Sequence, residues 1–156
     1  MSIAIGDPVP DLALSATNDQ EIRLTDYCGR NLVLYFYPKA STPGCTQEGL
    51  DFAAAEAAFN AANTTILGVS RDGLRAQQNF KTKQSFPFEL IADTDEQLCR
   101  AFDVIKPKTL YGRESLGIER STFLIDATGT LVREWRQVKV KGHVDEVLEA
   151  VRGLAQ

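Results

Sequence analysis

Chemistry in this chain gathers around one cysteine. Cys45 closes the run Pro38-Lys-Ala-Ser-Thr42-Pro-Gly-Cys45, with an apolar stretch before it and an Ala- and Glu-rich stretch after it. A thiol attacks as its thiolate, and a helix start favours that anion through free backbone N–H groups and the positive end of the helix dipole. Pro43 and Gly44 place Cys45 at such a start. Gly44 lets a small ligand approach the backbone, and the Thr42 hydroxyl can both accept and donate a hydrogen bond. Free cysteines are in general small buried hydrophobes. The Pro, Thr and Gly neighbours favour a reactive one here.

Few other residues offer chemistry. Cys28 and Cys99 lie 17 residues before and 54 after Cys45, with no CxxC pair and a single histidine, His143. That pattern fits neither a disulfide framework nor a zinc site, so no metal is expected. Cys99, with Phe102 three residues on, is read as facing the core, and Cys28 in Asp26-Tyr-Cys-Gly29 as a more exposed turn residue. His143 is read as solvated or capping, and Arg136, Lys139 and Lys141 as a wet strand edge.

Elements must exist to position these groups, and composition allows them. The 156 residues suit one domain, 1–156, and 44% hydrophobic with 24% charged residues excludes a disordered chain. With 17 basic residues scattered among 21 acidic ones, nucleic acid is not an expected partner. The longest apolar run, 32–37, is far below the ~20 residues of a membrane span, and no basic-then-apolar leader opens the chain. A cytoplasmic location is the expectation.

Alternation at Leu12, Leu14, Ile22 and Leu24 around Asn18-Asp19 predicts an N-terminal hairpin. Residues 31–37, apolar throughout after Asn31, read as a central strand buried on both faces, and Pro38 ends it. One long helix is predicted over 46–62, a buried strand over 64–70, a helix over 74–83 and a short strand over 88–92. Asp93-Thr-Asp95 caps a short helix through Phe102, and 106–117, with Pro107 and two glycines, reads as irregular. Strands over 121–126 and 130–135 flank Ala127-Thr-Gly129, and an amphipathic helix over 144–154 closes the chain. The order predicts an α/β fold: a central mixed sheet with helices on both faces and its site at the carboxyl ends of the strands, where the Cys45 loop falls.

PxxxTxxC after an apolar strand resembles the active-site motif of the peroxiredoxin family. Within it, the chain is similar to the bacterioferritin comigratory protein (PrxQ) branch through Tyr35-Phe-Tyr-Pro38, Thr42-Pro-Gly-Cys-Thr46 with Glu48, Gly68-Val-Ser70 with Asp72, and Arg120-Ser-Thr-Phe-Leu-Ile-Asp126. The resemblance runs from about Ile5 to the closing helix. It implies a thioredoxin-like fold and a thiol-dependent peroxidase, without metal or haem, that reduces hydrogen peroxide and organic hydroperoxides. It further implies that Cys45 is the peroxidatic residue, that Thr42 binds the peroxide oxygens, that Arg120 stabilises thiolate and transition state, and that Pro38 shields the pocket. Glu48 either orients Arg120 or steadies the first helical turn. Lowering a thiol pKa from about 8.5 gains at most ~30-fold at pH 7, roughly 2 kcal/mol, so a larger advantage must come from prepositioned donors.

The sulfenic acid so formed must be reduced, and the two positions where this branch carries a resolving cysteine hold Leu50 and Lys81. The expected mechanism therefore uses one cysteine and an external reductant, whether a small thiol, glutaredoxin or thioredoxin. Cys99 and Cys28 are the alternatives for a two-cysteine route. A dithiol–disulfide oxidoreductase would need a cysteine where Thr42 stands. A non-enzymatic interaction module would not need Thr42 and Arg120 together. The branch resemblance leans to a monomer.

Overall fold

In the computed structural model, which describes residues 2–154, the chain opens with a hairpin of β1 (Leu14–Ala16) and β2 (Gln20–Ile22). Asn18 and Asp19 at its turn both have positive φ, 61° and 55°, a conformation that short polar side chains tolerate best. The apolar run becomes β3 (Asn31–Phe36), every residue of it buried. Its two-residue period divides it: Leu32, Leu34 and Phe36 join one hydrophobic cluster, Val33 and Tyr35 the other.

Two helices then follow where one was expected. The first, α1 (Pro43–Ala54), ends at Ala55 (φ −98°, ψ 1°), and α2 (Glu56–Ala61) resumes on a new axis. The Ala-rich junction imposes little side-chain constraint, so the packing of Phe52 and Phe59 decides its course. Next come β4 (Thr64–Ser70), α3 (Leu74–Gln84) and β5 (Glu89–Ala92). The short α4 (Gln97–Ala101) is capped by Asp93, whose carboxylate accepts the N–H groups of Leu98 and Cys99 at 3.1 and 2.7 Å.

Residues 106–117 are not irregular. They lie in a two-stranded ribbon, β6 (Ile105–Leu110) and β7 (Arg113–Ile118), closed by Tyr111 and Gly112 with φ of 53° and 75°. Two successive positive φ values mark a tight hairpin turn. Pro107 breaks the strand pattern in sequence yet is tolerated because the ribbon is all edge. The chain ends with β8 (Ser121–Ile125), β9 (Leu131–Trp135) and α5 (His143–Arg152).

Seven strands form one mixed sheet in the order β2-β1-β5-β4-β3-β8-β9, parallel from β3 through β5 and antiparallel elsewhere. Residues of α1, α2, α3 and α5 pack on the face of Tyr35, and α4 on the face of Phe36. One close approach fixes α1. A Cβ on Gly49 would stand 2.4 Å from the Phe86 ring, so that ring lies directly on the helix backbone. Gly49→Ala is therefore expected to lower stability by about 1–2 kcal/mol, overpacking outweighing the ~1 kcal/mol gain in helix propensity. A urea midpoint equal to or above wild type would show that the ring moves aside freely.

Candidate active site

Cys45 is the third residue of α1, buried to 2% exposure. The first intrahelical bond runs from the Thr46 N–H to the Thr42 carbonyl at 2.8 Å. The Gly44 and Cys45 N–H groups precede it and have no carbonyl of their own helix to meet. Pro43 starts the helix three residues earlier than the composition of 46–62 suggested, its missing N–H costing nothing there. The cysteine thus sits within the first turn, beyond the carboxyl end of β3.

The loop that delivers it is pinned at several points. Asp72, after β4, accepts the Ala40 N–H at 2.8 Å and the Ser70 hydroxyl at 2.6 Å. Ser41 holds a positive φ of 65°, a strained conformation that such loops maintain when their surroundings overdetermine it. Thr42 donates its hydroxyl proton to the Lys39 carbonyl at 2.7 Å. Its lone pairs are left free to accept. Pro38 stands half-buried at the strand end.

Arg120 comes from the segment just before β8. Its Nη2 donates to Cys45 Sγ at 3.5 Å, and its Nη1 donates to Glu48 Oε1 at 2.7 Å. The guanidinium lies over Gly44, where a Cβ would stand 3.2 Å from Nη2, so the glycine makes room for the arginine as well as for any ligand. Glu48, one turn after Cys45, is wholly buried. Burial pushes its pKa up from 4.5 to about 7, against the pull of the Arg120 charge. The structure thus favours orientation of Arg120 over a surface role in the helix start. Among the described residues, Oε2 of Glu48 and the hydroxyl of Tyr35 are buried without hydrogen-bond partners.

The other cysteines lie elsewhere. Cys99 is fully buried in the cluster on the opposite face of the sheet from Cys45. Burial, with Asp93 beside it, drives its thiol pKa far above the ordinary value. Cys28 is exposed, as its turn suggested, but it precedes β3 whereas Cys45 follows it. Six residues of strand separate the two ends by about 20 Å. Cys28 packs instead beside Gly129, at the β8–β9 turn.

His143 is neither solvated nor capping. It is buried at 5% exposure, its Nε2 lies 2.8 Å from Thr122 Oγ1, and burial lowers its pKa to about 4. Arg136 is likewise tied down, donating to the Phe102 and Asp103 carbonyls at 2.9 and 2.8 Å, while Lys139 and Lys141 are exposed. Sequence reasoning missed Tyr37 and Gln77, which form a buried hydrogen bond of 2.6 Å, Tyr37 lying in the same cluster as Cys45. Only the polar Gln77 in an otherwise apolar helix face hinted at it. No group of three metal-ligating side chains gathers among the described residues, and no helix is long and apolar enough to cross a membrane.

An oxidisable sulfur in the first turn of a helix, contacted by a guanidinium and preceded by a threonine hydroxyl with acceptor capacity, is suited to hold a short polar bond and stabilise charge as it breaks. Comparison with known proteins agrees. Residues 5–134 match the model of the AhpC/TSA family. Peroxiredoxin Bcp of Bacillus subtilis is 46% identical over 156 residues, covering 100% of this chain and 99% of that protein. A solved structure of Xylella fastidiosa PrxQ superposes with a TM-score of 0.92 at 46% identity, over 97% of each chain. One of the Xanthomonas campestris bacterioferritin comigratory protein superposes at 0.87 with 54% identity, over 90% of each. The mixed sheet and its helices are thus a thioredoxin-like peroxiredoxin fold, and the chain belongs to the AhpC/TSA family, among its peroxiredoxins.

Proposed function

We propose that this chain acts as a single-domain thiol peroxidase for hydrogen peroxide and organic hydroperoxides, with Cys45 as the peroxidatic residue and an external thiol as reductant. The observation that carries this is the contact of Arg120 with both Cys45 Sγ, at 3.5 Å, and the buried Glu48. Alkyl peroxide reduction is ascribed to the Xanthomonas campestris relative. The same reaction fits this pocket.

The Cys45 thiolate attacks the hydroxyl oxygen of ROOH; the S–O bond forms as the O–O bond breaks, and the departing alkoxide takes a proton to leave as ROH. Arg120 and the free N–H groups of Gly44 and Cys45 stabilise the charge as it moves from sulfur to oxygen. Because Thr42 spends its proton on Lys39, it accepts the hydrogen of the peroxide and so orients the O–O bond toward sulfur. Pro38 shields the pocket from water. Gly44 leaves room for the substrate.

The resulting sulfenic acid reacts with an external thiol, whose sulfur bonds to Cys45 as water leaves. A second thiol then releases Cys45 as thiol. A small thiol, glutaredoxin or thioredoxin would serve, and the reducing cytoplasm supplies all three. Cys99 behind the sheet and Cys28 at its far end favour this route over an internal disulfide. The monomer is sufficient for it.

After one equivalent of peroxide, intact mass should show a trappable sulfenic acid on Cys45 in wild type, Cys28→Ser and Cys99→Ser alike. A loss of two hydrogens in wild type, abolished by either substitution, would sink the one-cysteine route; absence of Cys45 oxidation would sink the peroxidase reading. Thr42→Val should slow peroxide attack by about 10²-fold, the range for removing one positioning group from such a site, while alkylation by iodoacetamide falls far less. Equal losses in the two rates would contradict the assigned role.

Glu48 makes the fold pH-sensitive. Its native carboxyl keeps a proton to about pH 7, whereas the unfolded chain loses it near 4.5. Between those values the native state binds more protons, so its stability falls as pH rises. Glu48→Gln should therefore gain on wild type by about 3 kcal/mol between pH 4.5 and 8 in urea titrations, and a constant difference would contradict the buried, protonated acid.

A further inference from the structure

Of the bonds that pin the loop before Cys45, one reaches outside it. The last sheet bond ahead of the loop runs from the Tyr37 N–H to the Val69 carbonyl at 3.0 Å, and the first helical bond after it from the Thr46 N–H to the Thr42 carbonyl at 2.8 Å. Between them, among the described residues, one hydrogen bond joins residues 38–42 to a part of the chain beyond the loop and its own helix. The Ala40 N–H donates to Asp72 Oδ2 at 2.8 Å.

That acceptor is itself held. Oδ2 of Asp72 also takes the Ser70 hydroxyl proton at 2.6 Å, and Ser70 Oγ accepts the Asp72 N–H at 3.2 Å, so the two residues lock each other at the end of β4. Ser70 is fully buried, and its carbonyl accepts the Asp93 N–H at 2.9 Å. The clasp thus ties the loop to the parallel part of the sheet. What it holds is strained. Ser41, next after Ala40, keeps a φ of 65°, a conformation that persists only where the surroundings overdetermine it. Thr42 follows at once, its hydroxyl donating to the Lys39 carbonyl across the same turn. Cys45 does not share this dependence, because α1 has its own anchors in the Phe86 ring upon Gly49 and in Arg120.

We propose that Asp72 is a positioning residue for peroxide attack: by holding the Ala40 N–H it keeps the strained turn at Ser41, and with it the Thr42 hydroxyl, where that hydroxyl meets the peroxide. The role rests on Thr42 orienting the O–O bond. It is one of hydrogen bonding and not of charge, since an amide oxygen in place of Oδ2 accepts the same two protons.

The test compares two single-turnover rates of the reduced protein, oxidation of Cys45 by hydrogen peroxide and its alkylation by iodoacetamide. Wild type, Asp72→Ala, Asp72→Asn and Ser70→Ala are each measured with Thr42 and with Thr42→Val. Asp72→Ala should slow oxidation about 10-fold, the range for losing one hydrogen bond to a charged group, and alkylation less than about twofold. Asp72→Asn should stay within about threefold of wild type. Ser70→Ala, which leaves the Ala40 bond and removes only its support, should slow oxidation about threefold, and it carries the test if Asp72→Ala does not fold. Beside Thr42→Val each loss should shrink to less than about 1.5-fold, because the group acted through is gone. Unchanged oxidation in the Asp72→Ala protein, equal slowing of both reactions, an Asn variant as slow as the Ala one, or losses undiminished beside Thr42→Val would each overturn the role of Asp72 and leave the peroxidase reading in place. Unchanged oxidation in Thr42→Val alone overturns the role of Thr42, and that of Asp72 with it.

Discussion

The guanidinium of Arg120 is the part on which the rest of the site depends. Cys45 and Glu48 are three residues apart in α1, hence on one face of the helix, and Arg120 reaches both from the entrance to β8. A carboxyl with no solvent exposure is tolerated only when paired or protonated. Glu48 lies between those states, near pKa 7, with Arg120 as partner. The arginine is itself held in place. Its carbonyl accepts the Val138 N–H at 3.0 Å, Gly44 clears the space for its side chain, and two residues on, Thr122 is locked to His143. In the proposed mechanism this rigidity matters, because a donor that must reorganise during bond breaking stabilises less.

How much of this could be read from residues alone depended on whether the signal was local. Cys45, Thr42 and the helix start were legible because a proline, a glycine and a threonine at short spacing specify one turn. Arg120 was legible only through resemblance, since an isolated arginine before a strand carries no mark of its partner 72 residues away. The burial of Glu48 and His143 was not legible at all. Acids near helix starts and polar residues beside terminal helices usually face water. The ribbon was missed for a different reason: its alternation is broken by Pro107 and Gly117, and its register comes from the turn at Tyr111-Gly112 rather than from a buried face.

The sheet also imposes a constraint on redox chemistry. A strand buried on both faces separates two cores, and alternate residues of β3 feed one or the other. Cys45 belongs to the core of Tyr35, and Cys99 to that of Phe36. For these sulfurs to bond, their Cα atoms would have to come within about 7 Å, through a layer occupied by the central strand. Opening the first turn of α1 would not achieve this, because the obstacle is β3 and not the helix. The thiol of Cys99 is further disfavoured as a nucleophile by burial beside the carboxylate that caps α4. Its place in the fold is that of a packed hydrophobe.

Unmet local demands gather near Cys45. Of the buried polar atoms without partners among the described residues, Glu48 Oε2 and the Tyr35 hydroxyl belong to groups in electrostatic contact with Cys45 or Arg120. The loop before Cys45 adds the positive φ of Ser41. Elsewhere most polar groups that entered the core found partners, Tyr37 with Gln77, Asp93 with α4 and His143 with Thr122, the exception being the Trp135 indole N–H. Phe at 35 would remove one unpartnered hydroxyl, whereas an apolar residue at 48 would take from Arg120 its buried partner. Keeping both polar groups is understandable if the pocket must present polarity to a reacting bond. The tyrosine ring is bound to stay close in any case, because Gly68 opposite it has no side chain and the ring lies on that backbone, 2.9 Å from where a Cβ would be. Two of the three unpartnered buried polar atoms among the described residues thus lie beside the candidate site.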